Sequence, residues 1–225
     1  MVRPLAAVFD LDGTLVDNMS FHGDAWTGMA RRLGSDATRE QFERTWAGKT
    51  SAEIFTILLG RTPSAEEARR LEDEKEADYR ARYGPRLATV AGLDAFLDRL
   101  VAQGVRLAVA TAAPLANREL VLGGLDLTRR FEVVVGPEEV ARGKPSPDLF
   151  LAAARRLGVE GERCLAFEDS VNGVRAARAA GMTTAGLLTA EPPERLSAAG
   201  AAFLLRDYAE LPPALEHLLF GGGAP

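Results

Sequence analysis

A chain of 225 residues, 47% hydrophobic and 26% charged, is long enough for one large domain or a domain carrying an insert, and its composition is that of an ordinary globular protein. The formal net charge of −5 disfavours nucleic acid or an anionic membrane as partner. Arg3 is followed by too few apolar residues before Asp10 for a secretory core or a membrane span, so a cytoplasmic protein is expected, acting as a monomer; Cys164, the single cysteine, reads as a buried inert thiol.

Residues 5–9 form a continuous apolar run and predict a buried parallel strand. The run ends in Asp10-Leu11-Asp12-Gly13-Thr14, two carboxylates followed by a Gly-Thr turn. From Asp17 to about Arg86 the pattern turns helical. Phe21, Ala25, Met29 and Leu33 keep helical spacing, with Asn18 or Ser20 available as a cap and Gly34 as a stop. Further helices are predicted over 39–46, 51–59 and 64–83, the last a charged, solvated face with i,i+4 pairs. Four helices inserted after the first strand make a small bundle, expected to act as a lid over the strand ends.

Gly84-Pro85 closes the insert, and strand–helix alternation resumes. Helices are predicted over 93–103, 115–123, 147–157, 171–180 and 211–219, and strands over 105–110, 131–135, 163–167, 183–188 and 202–205. Residues 221–225 read as a frayed tail. The prediction is an α/β protein: a Rossmann-like parallel sheet covered by helices on both faces, residues 1–16 and 87–225, with a small four-helix domain inserted at 17–86.

Carboxylates at the carboxyl end of a buried strand face the crevice in which open α/β sheets bind ligands, and a buried Asp is costly unless paired or bound to metal. If Asp10 points into that crevice, the turn can swing Asp12 over the same centre, so that one attacks while its neighbour handles protons. Gly13 permits the backbone angles of such a turn, and Thr14 offers a hydroxyl and an N–H to an oxyanion. A plain loop is the structural alternative, whereas Leu15 and Val16 break a calcium-loop pattern. Later strand ends add Thr111, then Lys144 in Gly143-Lys144-Pro145-Ser146-Pro147, then Glu168 and Asp169. Carboxylates from two strands can share a hard cation such as Mg²⁺, and a hydroxyl and a lysine beside it suit a phosphoryl group. Lys49, Lys75 and Lys144 are the only lysines, the other 24 cationic residues being Arg, which points to sites where a compact point charge is wanted, with chance retention on a solvated face as the plain alternative. Structural alternatives stand beside these readings: Thr111 as a helix cap, Lys144 in a surface pair, and Glu168-Asp169-Ser170 as a helix start capped by Ser170.

From about residue 6 to residue 190 the chain resembles the haloacid dehalogenase superfamily of phosphotransferases, through Asp10-Leu11-Asp12-Gly13-Thr14, Thr111, Lys144, and Glu168-Asp169-Ser170 with Asn172-Gly173. The resemblance implies Asp10 as the nucleophile that forms an aspartyl-phosphate and Asp12 as acid/base. It implies Thr111 and Lys144 on the phosphoryl oxygens, and Mg²⁺ held by Asp10, the Asp12 carbonyl and Asp169 with Glu168 nearby. Thr14, Ala112 and Ala113 complete the expected contacts of the core with substrate. Residues 18–26 look most like the β-phosphoglucomutase-like subgroup, in which the residues matching His22 and Lys75 link cap to core and help position Asp12. The match to Trp26 belongs to the cap pocket there, and Gly48-Lys49-Thr50 matches the substrate-facing loop. His22 and Trp26 also have a bland reading as packed residues, and His217 is read as structural.

One departure separates the chain from the mutases, which carry an Arg in the cap loop for the distal phosphate where this sequence has Ser51 or Ala52; Lys49 is a candidate substitute. The presence of Asp12 favours phosphoryl transfer over dehalogenation, and the phosphonate-cleaving relatives differ in their first motif. The expectation is a Mg²⁺-dependent phosphatase acting on a small phosphorylated metabolite, a sugar phosphate, with a β-phosphoglucomutase-like mutase as the alternative. A receiver-like signalling module, which also surrounds an aspartyl-phosphate with an acidic pair, Thr and Lys, is disfavoured by the length, the helical insert and Asp12.

Overall fold

The computed structural model describes residues 3–41 and 50–221. In chain order they form β1 (Ala6–Phe9), α1 (Met19–Arg32), α2 (Arg39–Gln41), α3 (Ser51–Leu59), α4 (Ala65–Tyr83), α5 (Leu93–Ala102), β2 (Arg106–Ala110), α6 (Leu115–Arg118) and β3 (Val133–Val135). Then follow α7 (Asp148–Leu157), β4 (Cys164–Glu168), α8 (Val171–Ala179), β5 (Thr183–Leu187), α9 (Pro193–Ala199), β6 (Phe203–Leu205) and α10 (Pro213–Phe220). Contacts divide the chain into two compact units, Met1–Asp17 with Ala88–Pro225, and Asn18–Leu87.

The larger unit is built on six parallel strands in the order β3-β2-β1-β4-β5-β6. β1 lies between β2 and β4, with Phe9 in register with Val109 on one side and Phe167 on the other. The strand order reverses between β1 and β4, so the crossovers leave on opposite faces and a crevice opens beyond the carboxyl ends of these two strands. Because side chains alternate along a strand, β1 sends Ala6 and Val8 into a core shared with Ala108, Ala110, Val133, Leu149, Phe150, Ala153 and Leu157. Small residues on these strands let α7 pack closely through its apolar stripe, and Gly158 at φ 64° ends that helix.

Phe9 and Phe167 stack with their ring centroids 4.6 Å apart, and Phe96, Phe131 and Tyr208 join them. Each such ring contributes about 1.5–3 kcal/mol through burial, so the strand that carries Asp10 rests on a rigid aromatic base.

The smaller unit packs α1 against α4, with Trp26, Met29, Ile54, Phe55 and Leu71 at its core. Thr50 and Glu53 form a capping box at the start of α3, and Ser64 caps α4.

Several expectations are corrected in detail. Asn18 precedes α1 but its side chain makes no capping bond; its Nδ2 donates to the Tyr79 hydroxyl at 2.6 Å. The helix expected over 115–123 is a four-residue α-helix that widens into a π turn at Glu119–Gly123. α9 lies where no element is predicted: Pro193 occupies the first helical turn, where its missing N–H costs nothing, and Gly200 at φ 105° closes the helix. Of the helix expected over 39–46, residues 42–46 lie outside the described residues.

Candidate active site

Two neighbouring strands and one loop bring four charged side chains together at the crevice. Asp10 follows β1, Glu168 ends β4, Asp169 comes next, and Lys144 comes from the loop between β3 and α7. That loop is braced by Asp148, which accepts from Arg142 and from the Ser146 hydroxyl, and the Arg142 guanidinium holds the Asp148 carboxyl below the ordinary carboxylate range.

The Lys144 ammonium lies 2.8 Å from Asp10 Oδ1 and forms a short ion pair with Glu168 Oε1. Glu168 is fully buried, and its other oxygen accepts from the amides of Asp169 and Ser170 and from the Ser170 hydroxyl, at 3.0–3.1 Å. Ser170 also caps α8 by accepting from the Gly173 amide, so the helix-start alternative raised by the sequence holds alongside the charged cluster.

Oxygens of Asp10, Glu168 and Asp169 lie within 4.8 Å of one another. Three carboxylates therefore face one ammonium in a buried site. Burial first, reinforced by the charges of Glu168 and Asp12 and opposed by Lys144, pushes Asp10 up to about 7. Asp169 is raised well above the ordinary value by burial and by the charges of Glu168 and Asp10. Burial works against the Lys144 ammonium, yet Asp10 and Glu168 outweigh it and hold its pKa above the usual lysine range. An all-oxygen cluster with surplus negative charge fits a hard divalent cation.

Two glycines are dictated by this cluster. A Cβ on Gly13, which sits at φ 70°, would stand 1.9 Å from Asp169 Oδ2, and one on Gly173 would stand 1.8 Å from the Glu168 carboxyl. Around the Asp12 turn, the amides of Thr14, Leu15 and Val16 all converge on the Leu11 carbonyl. Thr14 is fully buried, its hydroxyl without a hydrogen-bond partner among the described residues. Thr111, at the end of β2, is buried and accepts from the Ala113 amide at 3.1 Å; it does not cap α6, whose first flanking residue is Pro114. Ala112 is exposed and Ala113 buried.

A family model described as haloacid dehalogenase-like hydrolase matches residues 5–181. The chain belongs to the haloacid dehalogenase-like hydrolases. Among the relatives of this hydrolase, a phosphorylated carbohydrates phosphatase of Thermotoga maritima is 29% identical over 79% of this chain and 82% of its own. The β-phosphoglucomutase of Bacillus subtilis is 28% identical over 94% and 93%. The crystal structure of CbbY from Rhodobacter sphaeroides in complex with phosphate superposes with a TM-score of 0.77 at 29% identity, covering 92% of this chain and 96% of that one. These matches place the hydrolase in the β-phosphoglucomutase-like subgroup.

The helical unit of the hydrolase holds its own buried polar network. Lys75, 3% exposed, pairs with Glu76 at 2.7 Å, meets His22 Nδ1 at 3.0 Å and lies 5.1 Å from the Trp26 ring centre. An ammonium has only hydrogens to give, so in this contact His22 Nδ1 is the acceptor. His22 stacks on Tyr79 with centroids 3.8 Å apart. Trp26 is buried and packs on Phe55 within the core of this unit. The Thr50 hydroxyl is engaged in the α3 capping box, and the Ser51 hydroxyl donates to Glu72. Gly48 and Lys49 lie outside the described residues. Lys75 and Lys144 are both buried charges, Lys75 beside one carboxylate and His22, Lys144 between two carboxylates. Cys164 is buried, with its thiol pushed up to about 11 by burial and by Glu160.

Two side chains outside every motif also reach the Asp12 turn: the Thr189 hydroxyl donates to the Gly13 carbonyl and the Tyr208 hydroxyl to the Thr14 carbonyl. No spacing in the sequence links them to it, since they follow different strands.

Proposed function

We propose that this hydrolase is a Mg²⁺-dependent phosphatase that acts on a small phosphorylated metabolite, a sugar phosphate, through an aspartyl-phosphate on Asp10. The observation that carries this reading is the buried cluster of Asp10, Lys144, Glu168 and Asp169 at the switch point, with Asp12 two residues beyond the nucleophile. Asp10 and Asp169 would hold Mg²⁺ with the Asp12 carbonyl, while Glu168, both of whose oxygens are already engaged, orients Lys144 and the loop. When bound, Mg²⁺ would supply positive charge that keeps Asp10 ionised and offsets the charge on a phosphoryl group.

In the proposed reaction the Asp10 carboxylate attacks phosphorus in line, and the bond from phosphorus to the sugar oxygen breaks. Lys144 and the Thr111 hydroxyl hold phosphoryl oxygens. Asp12 gives its proton to the departing sugar oxygen, then takes one from the water that cleaves the aspartyl-phosphate, releasing phosphate. The helical insert is assigned the role of cap, excluding bulk water during the first transfer and selecting the sugar.

The B. subtilis relative supports a second reading, in which a sugar hydroxyl replaces that water. Ser51 and Ala52, standing where the mutases carry an Arg, favour the phosphatase. The test incubates the protein with β-glucose 1-phosphate, Mg²⁺ and a trace of the bisphosphate, measuring glucose 6-phosphate and free phosphate together, followed by a panel of sugar phosphates. Phosphate release that disappears in Asp10→Asn supports the phosphatase. Isomer without phosphate assigns the mutase, and stable phosphorylation without turnover assigns a signalling module.

A further inference from the structure

The catalytic turn is held from outside by two loops that the proposed mechanism does not use. Its amides are gathered on the Leu11 carbonyl, and Asp12 bridges to Val16. The next two carbonyls are met from elsewhere: Gly13 by the Thr189 hydroxyl, which follows β5, and Thr14 by the Tyr208 hydroxyl at 3.2 Å, which follows β6.

Tyr208 is itself immobilised. Its ring stacks on Phe96 at 5.0 Å and lies 6.2 Å from Phe9, the residue before Asp10. Its amide donates to the Ala91 carbonyl at 2.9 Å, and the neighbouring Val90 amide donates to the Leu15 carbonyl at 2.9 Å. Hydrogen bonds thus run in a ring from Thr14 and Leu15 through residues 90–91 to Tyr208 and back. Gly92 closes that ring tightly, since a Cβ there would stand 2.4 Å from the Ala209 nitrogen.

Gly13 has equally little freedom. Its Cα side faces Asp169, its φ of 70° is one that only Gly adopts readily, and its carbonyl is tied to Thr189. Rotation at Gly13 would shift the backbone of Asp12, the residue before it, relative to β1.

We propose that Thr189 and Tyr208 are positioning residues that hold the backbone presenting Asp12, so that its proton is delivered along the line of the breaking bond. This rests on the preceding reading, in which Asp12 protonates the leaving oxygen. A displacement of 1 Å in a catalytic group can cost on the order of a hundredfold in rate. Loss of one hydroxyl clamp, with the other retained, is expected to cost about tenfold.

The experiment compares kcat/KM for wild type, Thr189→Val, Thr189→Ser and Tyr208→Phe on two substrates: the best sugar phosphate from the panel and p-nitrophenyl phosphate. kcat/KM reports the first transfer alone, and nitrophenolate leaves without needing a proton. Thr189→Val and Tyr208→Phe are expected to lose about tenfold on the sugar phosphate and no more than about twofold on the nitrophenyl ester, with Thr189→Ser restoring most of the rate. Tyr208→Phe keeps the ring and its packing, so it carries the test if Thr189→Val does not fold. Equal losses on both substrates, or no loss on either, would overturn the positioning role while leaving the phosphatase standing. Wild-type protein that turns over neither substrate would overturn the phosphatase reading itself.

Discussion

Replacing Lys144 with Met keeps the stem and deletes the ammonium that faces both Asp10 and Glu168, at a side chain only 10% exposed. Breaking a buried ion pair by removing one partner costs about 3–5 kcal/mol. At the lower end of that range the denaturation midpoint of a chain this size should fall by about 6–12 °C. The loss should also depend on pH. Asp10 has a folded-state pKa of about 7, above its ordinary 3.8, so the folded protein keeps a proton that the unfolded chain has lost; this group's contribution to stability falls as pH rises from about 4 to about 7. Lys144 lowers that pKa, so Lys144→Met raises it further, and between pH 7 and the new value only the variant still holds the proton. The variant should therefore lose further stability relative to wild type above pH 7. Thermal denaturation followed by circular dichroism in EDTA, at pH 6 and pH 9, measures both effects. A midpoint equal to wild type at pH 9, or a gap that narrows from pH 6 to pH 9, would refute the electrostatic reasoning.

Further outcomes follow from the same geometry. Millimolar Mg²⁺ should raise the denaturation midpoint of wild type, more at pH 8 than at pH 6 because protons compete for Asp10 and Asp169, and the rise should vanish in Asp169→Asn; calorimetry with and without EDTA checks this. Gly173→Ala places a methyl group in the Glu168 carboxyl and should cost about 1–3 kcal/mol in denaturant titration while lowering kcat, because Glu168 orients Lys144. In the insert, Lys75→Met leaves buried Glu76 without its ammonium and should destabilise by about 3 kcal/mol, whereas the pair variant Lys75→Met with Glu76→Gln should recover much of the loss, as a double-mutant cycle would measure.

The architecture was largely readable from local pattern. Continuous apolar runs such as Ala6–Phe9 and Cys164–Phe167 mark strands buried on both faces, and helical spacing between them dictates crossovers and a parallel sheet. Errors fell where local signals conflict with tertiary demands. Asn18 looks like a helix cap, but its side chain makes no cap bond and donates to Tyr79 on another helix; α9 begins at Pro193, where no element is predicted.

The sequence by itself determined the candidate chemistry of this protein: which residues lie at strand ends, and that Asp10, Asp12, Thr111, Lys144, Glu168 and Asp169 are of types that suit phosphoryl transfer beside a hard cation. Those facts depend on local periodicity and residue identity, which the one-dimensional pattern carries. Only the tertiary structure decided that Lys144 bridges Asp10 and Glu168, that Asp10 is held near pH 7, and that Thr189 and Tyr208 clasp the turn bearing Asp12. Proton affinity and hydrogen-bond partnership depend on distance and burial, and the groups concerned lie on segments far apart in the chain that meet only when β1, β4, β5 and β6 assemble into one sheet.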